Sequence, residues 1–150
     1  MASRSDIIEQ FILSSLASEP FIELSRNDLA KFFACAPSQI NYVLNTRFTI
    51  NNGYVIESVR GGAGFIKVIK LANDEASLRN LLDICSQPLS EIEGVQILDN
   101  LVSRKLISIS ENQVLKRAIS TKALNNPLNM DEMLRANILK EIIIEVMKRS

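Results

Sequence analysis

The chain contains no histidine. That one absence excludes a Ser-His-Asp triad, a Cys-His dyad and any His-ligated metal site. Cysteine is scarce as well. Cys35 and Cys85 stand 50 positions apart, neither a zinc nor a redox spacing, and read as plain buried thiols of a reducing compartment. Net charge is nil, with 17 Lys+Arg against 17 Asp+Glu. No apolar run approaches the ~20 residues needed to cross a bilayer. Asp6 and Glu9 interrupt the first apolar segment, so it does not read as a signal peptide. What remains is 150 residues, 47% hydrophobic and 23% charged. That composition suits one or two small globular domains in the cytoplasm and not a disordered chain.

The zero net charge conceals an asymmetry. Residues 1–30 sum to −3 and residues 71–150 to −1, whereas residues 31–70 sum to +4, from Lys31, Arg47, Arg60, Lys67 and Lys70 against Glu57. A basic stretch of this kind can be the local footprint of a polyanion, although ordinary solvated surfaces carry the same excess.

Residues 5–17 read as an amphipathic helix: Ser5 is a candidate N-cap, and Ile7, Ile8, Phe11, Ile12 and Leu16 recur at helical spacing. Pro20 follows, then a short apolar patch at 21–24. Ser25, with Asp28 three positions on, resembles a capping box and opens a short helix over 26–33 whose inward face is Leu29, Ala30 and Phe33. Pro37 suits the first position of a third helix over 37–46, which buries Ile40, Val43 and Leu44. Two short helices joined by a tight turn give the helix-turn-helix outline. Asn51-Asn52-Gly53 is a turn signal, and strands at 54–59 and 65–70 flank Arg60-Gly61-Gly62-Ala63-Gly64 as a β-hairpin. Three helices followed by a hairpin is the order of a winged helix-turn-helix.

From Asn73 onward the pattern is purely helical, with segments at about 74–86, 90–105, 110–124 and 131–149. Ser90 with Glu93, and Ser110 with Gln113, look like capping boxes. The last segment carries an apolar arc wider than one neighbour needs, including Met133, Leu134, Ile138, Leu139, Ile142, Ile143 and Ile144. A subunit interface is the economical explanation of that width, with a crowded intrachain core as the plainer alternative. The fold class expected is therefore mostly α with a small β-hairpin. Its two parts are a winged helix-turn-helix over 1–72 and a four-helix dimerisation domain over 73–150.

Two groups of residues can carry function. Three of the five glycines fall within Gly61, Gly62 and Gly64 at the hairpin tip, beside Arg60. Glycine lets the backbone approach a ligand closely, and an arginine there can enter a narrow minor groove. A solvated Arg on an ordinary hairpin satisfies the same pattern. A phosphate-binding loop of nucleoside triphosphatases is poorly supported, since the motif lacks the Gly-Lys-Ser/Thr ending and a following helix. The outer face of the third helix presents Ser38, Gln39, Asn41, Tyr42, Asn45 and Thr46, uncharged hydrogen-bonding side chains of the kind that read base edges, with Arg47 at its end placed for phosphate. A polar outer face on a surface helix is the plainer account. Glu9, Glu23, Glu57 and Asp74 show no partner in the sequence, the Asp131-Glu132 pair suits a helix start, and nothing indicates an enzyme, a cofactor or a metal.

These residues resemble a known family, the class-three stress-gene repressors (CtsR) of low-GC Gram-positive bacteria. The resemblance runs through Ser5-Asp6-Ile7-Ile8-Glu9-Gln10-Phe11, Pro37 to Val43, and Asn45-Thr46-Arg47-Phe48-Thr49. It continues in Gly53-Tyr54, Glu57-Ser58, Arg60-Gly61-Gly62, Gly64-Phe65-Ile66 and Leu134 to Lys140, with Arg26 at a family-like position. It implies a homodimeric repressor that binds tandem repeats in double-stranded operator DNA upstream of Clp protease and chaperone genes. Release on heat stress would run through the glycine-rich wing. It also implies an arginine kinase and Clp chaperone–protease as partners, with Arg60 a candidate for modification. The DNA-binding set so implied is Arg26, Ser38, Gln39, Asn41, Tyr42, Thr46, Arg47, Thr49, Arg60, Gly61, Gly62, Gly64 and Lys67. In the wing, Ala63 replaces a glycine of the family, Val59 a lysine, and Lys67 stands where arginine is common. A helical interaction adaptor without DNA binding is the competing class.

Overall fold

Ser3 starts the first helix. Its hydroxyl accepts from the Asp6 amide at 3.1 Å while the Asp6 carboxylate accepts from the Ser3 amide at 3.0 Å, a complete capping box. The computed structural model thus caps helix α1 (Arg4–Leu16) at Ser3, two residues before the expected cap. Ser5 is instead only 8% exposed and faces inward. The structure describes residues 2–59, 64–73 and 75–149. They divide into two compact units, Met1–Ala72 and Asn73–Ser150, and each is taken by itself.

In the first unit, residues 21–25 form a strand, β1 (Phe21–Ser25), where the sequence suggested only an apolar patch. Ser25 ends it and caps α2 (Arg26–Phe32) through the Asp28 amide. The turn after α2 is a Schellman motif: Cys35 donates its backbone N–H to the Ala30 carbonyl and Ala34 to Lys31. Ala34 takes the left-handed position at φ +52°, which glycine usually fills. Pro37 then begins α3 (Pro37–Arg47), a helix-turn-helix pair with α2. A 3-10 turn and Gly53 at φ +96° lead into β2 (Tyr54–Ser58), and β3 (Phe65–Lys70) returns. The expected two-stranded hairpin is in fact a three-stranded antiparallel sheet in the order β1-β3-β2. Phe21 pairs with Ile69 on one side of β3 and Val55 pairs with Ile69 on the other.

One core serves this unit. Ile8, Ile12 and Leu16 of α1 meet Leu29 and Ala30 of α2, Ile40, Val43 and Leu44 of α3, and Ile66 and Val68 of β3. At about 1.5–3 kcal/mol per buried aliphatic side chain, this seam is what fixes α3 on the sheet and on α1.

The second unit is helical: α4 (Ala76–Ile84), α5 (Glu91–Ser103), α6 (Ile109–Ala118), α7 (Thr121–Leu124) and α8 (Asp131–Lys148). The expected third segment is split in two, because Ser120 caps a new helix through the Ala123 amide at 3.1 Å. Its start also shifts, to the reciprocal box of Ser108 and Glu111 in place of Ser110 and Gln113. Ser90 and Glu93 form the box expected of them. The wide arc of α8 is divided: Leu139, Ile143 and Ile144 are buried, with Ala136, Val146 and Met147, while Met133 and Leu134 remain exposed and Ile138 and Ile142 half-buried.

At the centre of this unit lies a charged side chain. Arg135 is fully buried, and its Nε donates to the Ile119 carbonyl at 2.6 Å and its Nη1 to the Leu89 carbonyl at 2.7 Å. Nη2 reaches Thr121 Oγ1 at 3.2 Å and Asp131 at 3.5 Å. One guanidinium therefore joins α8 to the start of α5 and to the α6–α7 junction. Gly94 leaves room for it: a Cβ there would stand 2.8 Å from Ile119 Cδ1, 3.0 Å from Arg135 Cδ and 3.2 Å from Leu139 Cδ1. Gly94→Val is expected to destabilise the chain by about 2 kcal/mol through overpacking. Gly94→Ala costs less, because alanine recovers up to ~1 kcal/mol of helix propensity. Urea unfolding of both variants checks the order; a stable Gly94→Val protein contradicts it.

Candidate nucleic-acid interface

Helix α3 has two faces. Ile40, Val43 and Leu44 point into the core, so a period of 3.6 residues turns Ser38, Asn41, Tyr42, Asn45 and Thr46 to solvent. Tyr42 is 57% exposed, unusual for a ring with a full side of core available. The Thr46 hydroxyl donates to the Tyr42 carbonyl at 2.6 Å, which leaves its lone pairs and methyl outward. Thr49, half-buried just past α3, uses its carbonyl to accept from the Asn52 and Tyr54 amides.

Two residues of α3 expected to face outward are held within the chain. Gln39 donates its side-chain amide to Ser5 Oγ at 2.9 Å. The Arg47 Nη1 lies 2.8 Å from Asp6 Oδ1 and 2.5 Å from Glu9 Oε1. The Arg47 guanidinium holds the Asp6 carboxyl below its usual range, with help from the Ser3 cap, and the two carboxylates raise Arg47 in turn. Glu9, which has no visible partner in the sequence, is thus half of a carboxylate clamp. The signal was available: Asp6 and Glu9 are three positions apart on one helix face, opposite the only arginine of α3.

The β2–β3 ribbon flanks α2. Gly64, at φ +76°, accepts from the Arg26 amide at 3.0 Å, and Val59 donates to the Phe65 carbonyl at 3.1 Å. The base of the wing is therefore tied to the first residue of α2. Arg26 is half-buried, with a buried Nε that meets no partner among the described residues. Arg60, Gly61, Gly62 and Ala63 lie outside the described residues. Lys67 sits mid-sheet, with Glu23 and Glu57 as its cross-strand partners and its Nζ 4.0 Å from the Phe21 ring centroid, a cation–π contact. Arg4, Asn27, Lys31 and Cys35 border a shallow hollow of about 680 Å³ beside Pro37, at the start of α3. The sequence reading assigned none of those four a contact role.

The other expected features are quickly placed. Cys85 is buried, which pushes its thiol up to about 11, whereas Cys35 is only half-buried. Among the described residues no cluster of Cys, Asp and Glu could hold a metal ion. No described helix is long and apolar enough to cross a membrane.

Comparison with known proteins identifies the lineage. Residues 3–72 match the model of the CtsR N-terminal HTH domain, and residues 73–144 that of the CtsR C-terminal dimerization domain. The transcriptional regulator CtsR of Staphylococcus epidermidis is 38% identical over 147 residues, covering 95% of this chain and 96% of the relative. That of Staphylococcus haemolyticus is 39% identical over the same share. A crystal structure of a CtsR in complex with a 26-bp DNA duplex is 34% identical, spans 99% of this chain and 100% of that one, and superposes with a TM-score of 0.49. With both halves matched in order and relatives aligned over nearly their whole length, the chain belongs to the CtsR family of transcriptional regulators.

Proposed function

We propose that this chain is a cytoplasmic, homodimeric repressor that binds double-stranded operator DNA and silences heat-shock genes, those for Clp protease and chaperones among them. The observation that carries the reading is α3: a short helix seated by a continuous apolar seam, with five uncharged hydrogen-bonding side chains on its free face. Such a face reads base edges in the major groove. Ser38, Asn41, Tyr42 and Thr46 are its contacts, with Arg26, Thr49 and Lys67 towards the backbone. The wing residues Arg60, Gly61, Gly62 and Gly64 approach the neighbouring groove and let go on warming. Family membership supports the assembly, because its C-terminal model is a dimerisation domain. Two reading heads on one body multiply a modest single affinity through effective concentration. An arginine kinase and the Clp machinery fit as the agents that mark and remove it, Arg60 being the candidate mark. No cofactor enters this scheme.

The test is a salt titration. Fluorescence anisotropy on duplexes taken from upstream of the Clp genes of the same genome should show affinity falling linearly with log salt, by about 0.9 per phosphate neutralised. A helical adaptor has no duplex affinity to lose, and a flat signal at low salt establishes that alternative.

A further inference from the structure

The DNA-binding reading leaves unexplained why the only arginine of α3 turns away from the free face. We propose that Arg47 and Gln39 are positioning residues, which splint the recognition helix to α1 at both ends and touch no DNA; this rests on the reading above. Gln39 lies in the first turn of α3 and Arg47 in the last, roughly 12 Å apart along the axis. Each is met by the first two turns of α1: Gln39 by the 8%-exposed Ser5, Arg47 by Asp6 and Glu9 together. The apolar seam of Ile40, Val43 and Leu44 fixes how deep α3 sits. Apolar contacts carry little directional information, however, so they do not fix its rotation about that seam. Directional bonds at both ends supply it. A bidentate base contact is lost by a small misalignment, so rotation is what a reading helix most needs fixed.

Charge argues the same way. Arg47, Asp6 and Glu9 together carry one net negative charge. Swinging Arg47 out to a phosphate would leave the Asp6 and Glu9 carboxylates without the cation they share. The side chains of Arg47 and Glu9 are only 33% and 27% exposed, so the pair is partly withdrawn from solvent already. Asp6 is held further by the Ser3 cap and cannot easily follow a moving arginine.

Two variants of the full-length chain decide the matter, titrated on the duplex that the unmodified chain binds and over the same salt range. Arg47→Met is expected to weaken binding about tenfold, leave the slope against log salt unchanged, and speed amide exchange along α3. The charge-swapped protein, Arg47→Glu with Glu9→Arg, restores the clamp with its polarity reversed and should recover most of the lost affinity. A slope shallower by about 0.9 in Arg47→Met, or no recovery in the swap while its circular dichroism stays native, overturns the proposal in favour of a phosphate contact. Unchanged affinity and unchanged exchange overturn it too. If the unmodified chain binds no duplex, the functional reading fails first and takes this one with it, an outcome seen before any substitution is made.

Discussion

Arg135→Met is expected to cost the C-terminal unit about 3–5 kcal/mol. The substitution removes a charge that is fully buried, yet the loss comes mainly from what it leaves behind. The Ile119 and Leu89 carbonyls accept from Arg135 at 2.6 and 2.7 Å, and both bonds go with the guanidinium. A buried acceptor left without a partner costs about 1–3 kcal/mol, and bonds to a charged donor stand at the upper end. Both carbonyls belong to chain reversals, one at the end of α6 and one just before α5, so both turns loosen together. For a unit of this size the midpoint of thermal unfolding should fall by at least about 12 °C. Arg135→Lys rescues little, because a single ammonium cannot span the four acceptors that the planar fork reaches. Calorimetry of the whole chain reads both; a shift of a degree or two for Arg135→Met shows that the arginine is a passenger. Dimer content should fall with the same midpoint, since the unit is the assembly domain of the family.

The second large effect concerns DNA. Arg60→Ala should weaken operator binding roughly 10–100-fold while helicity and dimer content stay unchanged, the span expected for one lost specific contact of ~1–3 kcal/mol. Arg60 itself lies outside the described residues. Its strand neighbours do not: β2 and β3 remain in register to Ser58 and Ile66, and Gly64 is fastened to the Arg26 amide. A gel-shift titration with matched operator and scrambled duplexes measures the effect. Equal affinity of the variant and the parent protein for the operator refutes the minor-groove role.

Much of the fold can be read locally. Pro37 announces α3, because only the start of a helix tolerates its missing N–H, and Ser90 with Glu93 announces α5. Local rules mislead where two local answers compete. Ser3 and Ser5 both stand just ahead of the first helix, and Ser108 and Ser110 each precede an acidic or amide side chain at capping distance; Ser3 has Asp6 three positions on whereas Ser5 has Ile8, and Ser5 is held inside by Gln39. Strand β1 escapes notice for a different reason. Its five residues have no partner within forty positions and acquire strand character only when β3 arrives beside them. The reading face of α3 follows directly from helical period, whereas the inward turn of Arg47 and Gln39 depends on how α1 crosses α3. Arg135 was hidden in plain sight. A lone cation in line with Leu139 and Ile143, on the buried stripe of an amphipathic helix, marks a buried polar hub.

The insertion of β1 beside β3 bears on how steeply the protein can respond to warming. A ribbon of two strands would be free to peel as a whole. Here its returning strand is stitched to the helical body from Phe65 to Ile69, so a change confined to the wing involves only the six residues between β2 and β3. At ~0.7 kcal/mol per residue their van't Hoff enthalpy is about 4 kcal/mol, which alters an equilibrium by roughly 1.3-fold over ten degrees. Melting the entire 72-residue unit would alter it roughly fifteenfold. A sharp thermal threshold in operator occupancy therefore demands a cooperative block far larger than the loop, and a gradual one is the signature of the loop acting alone.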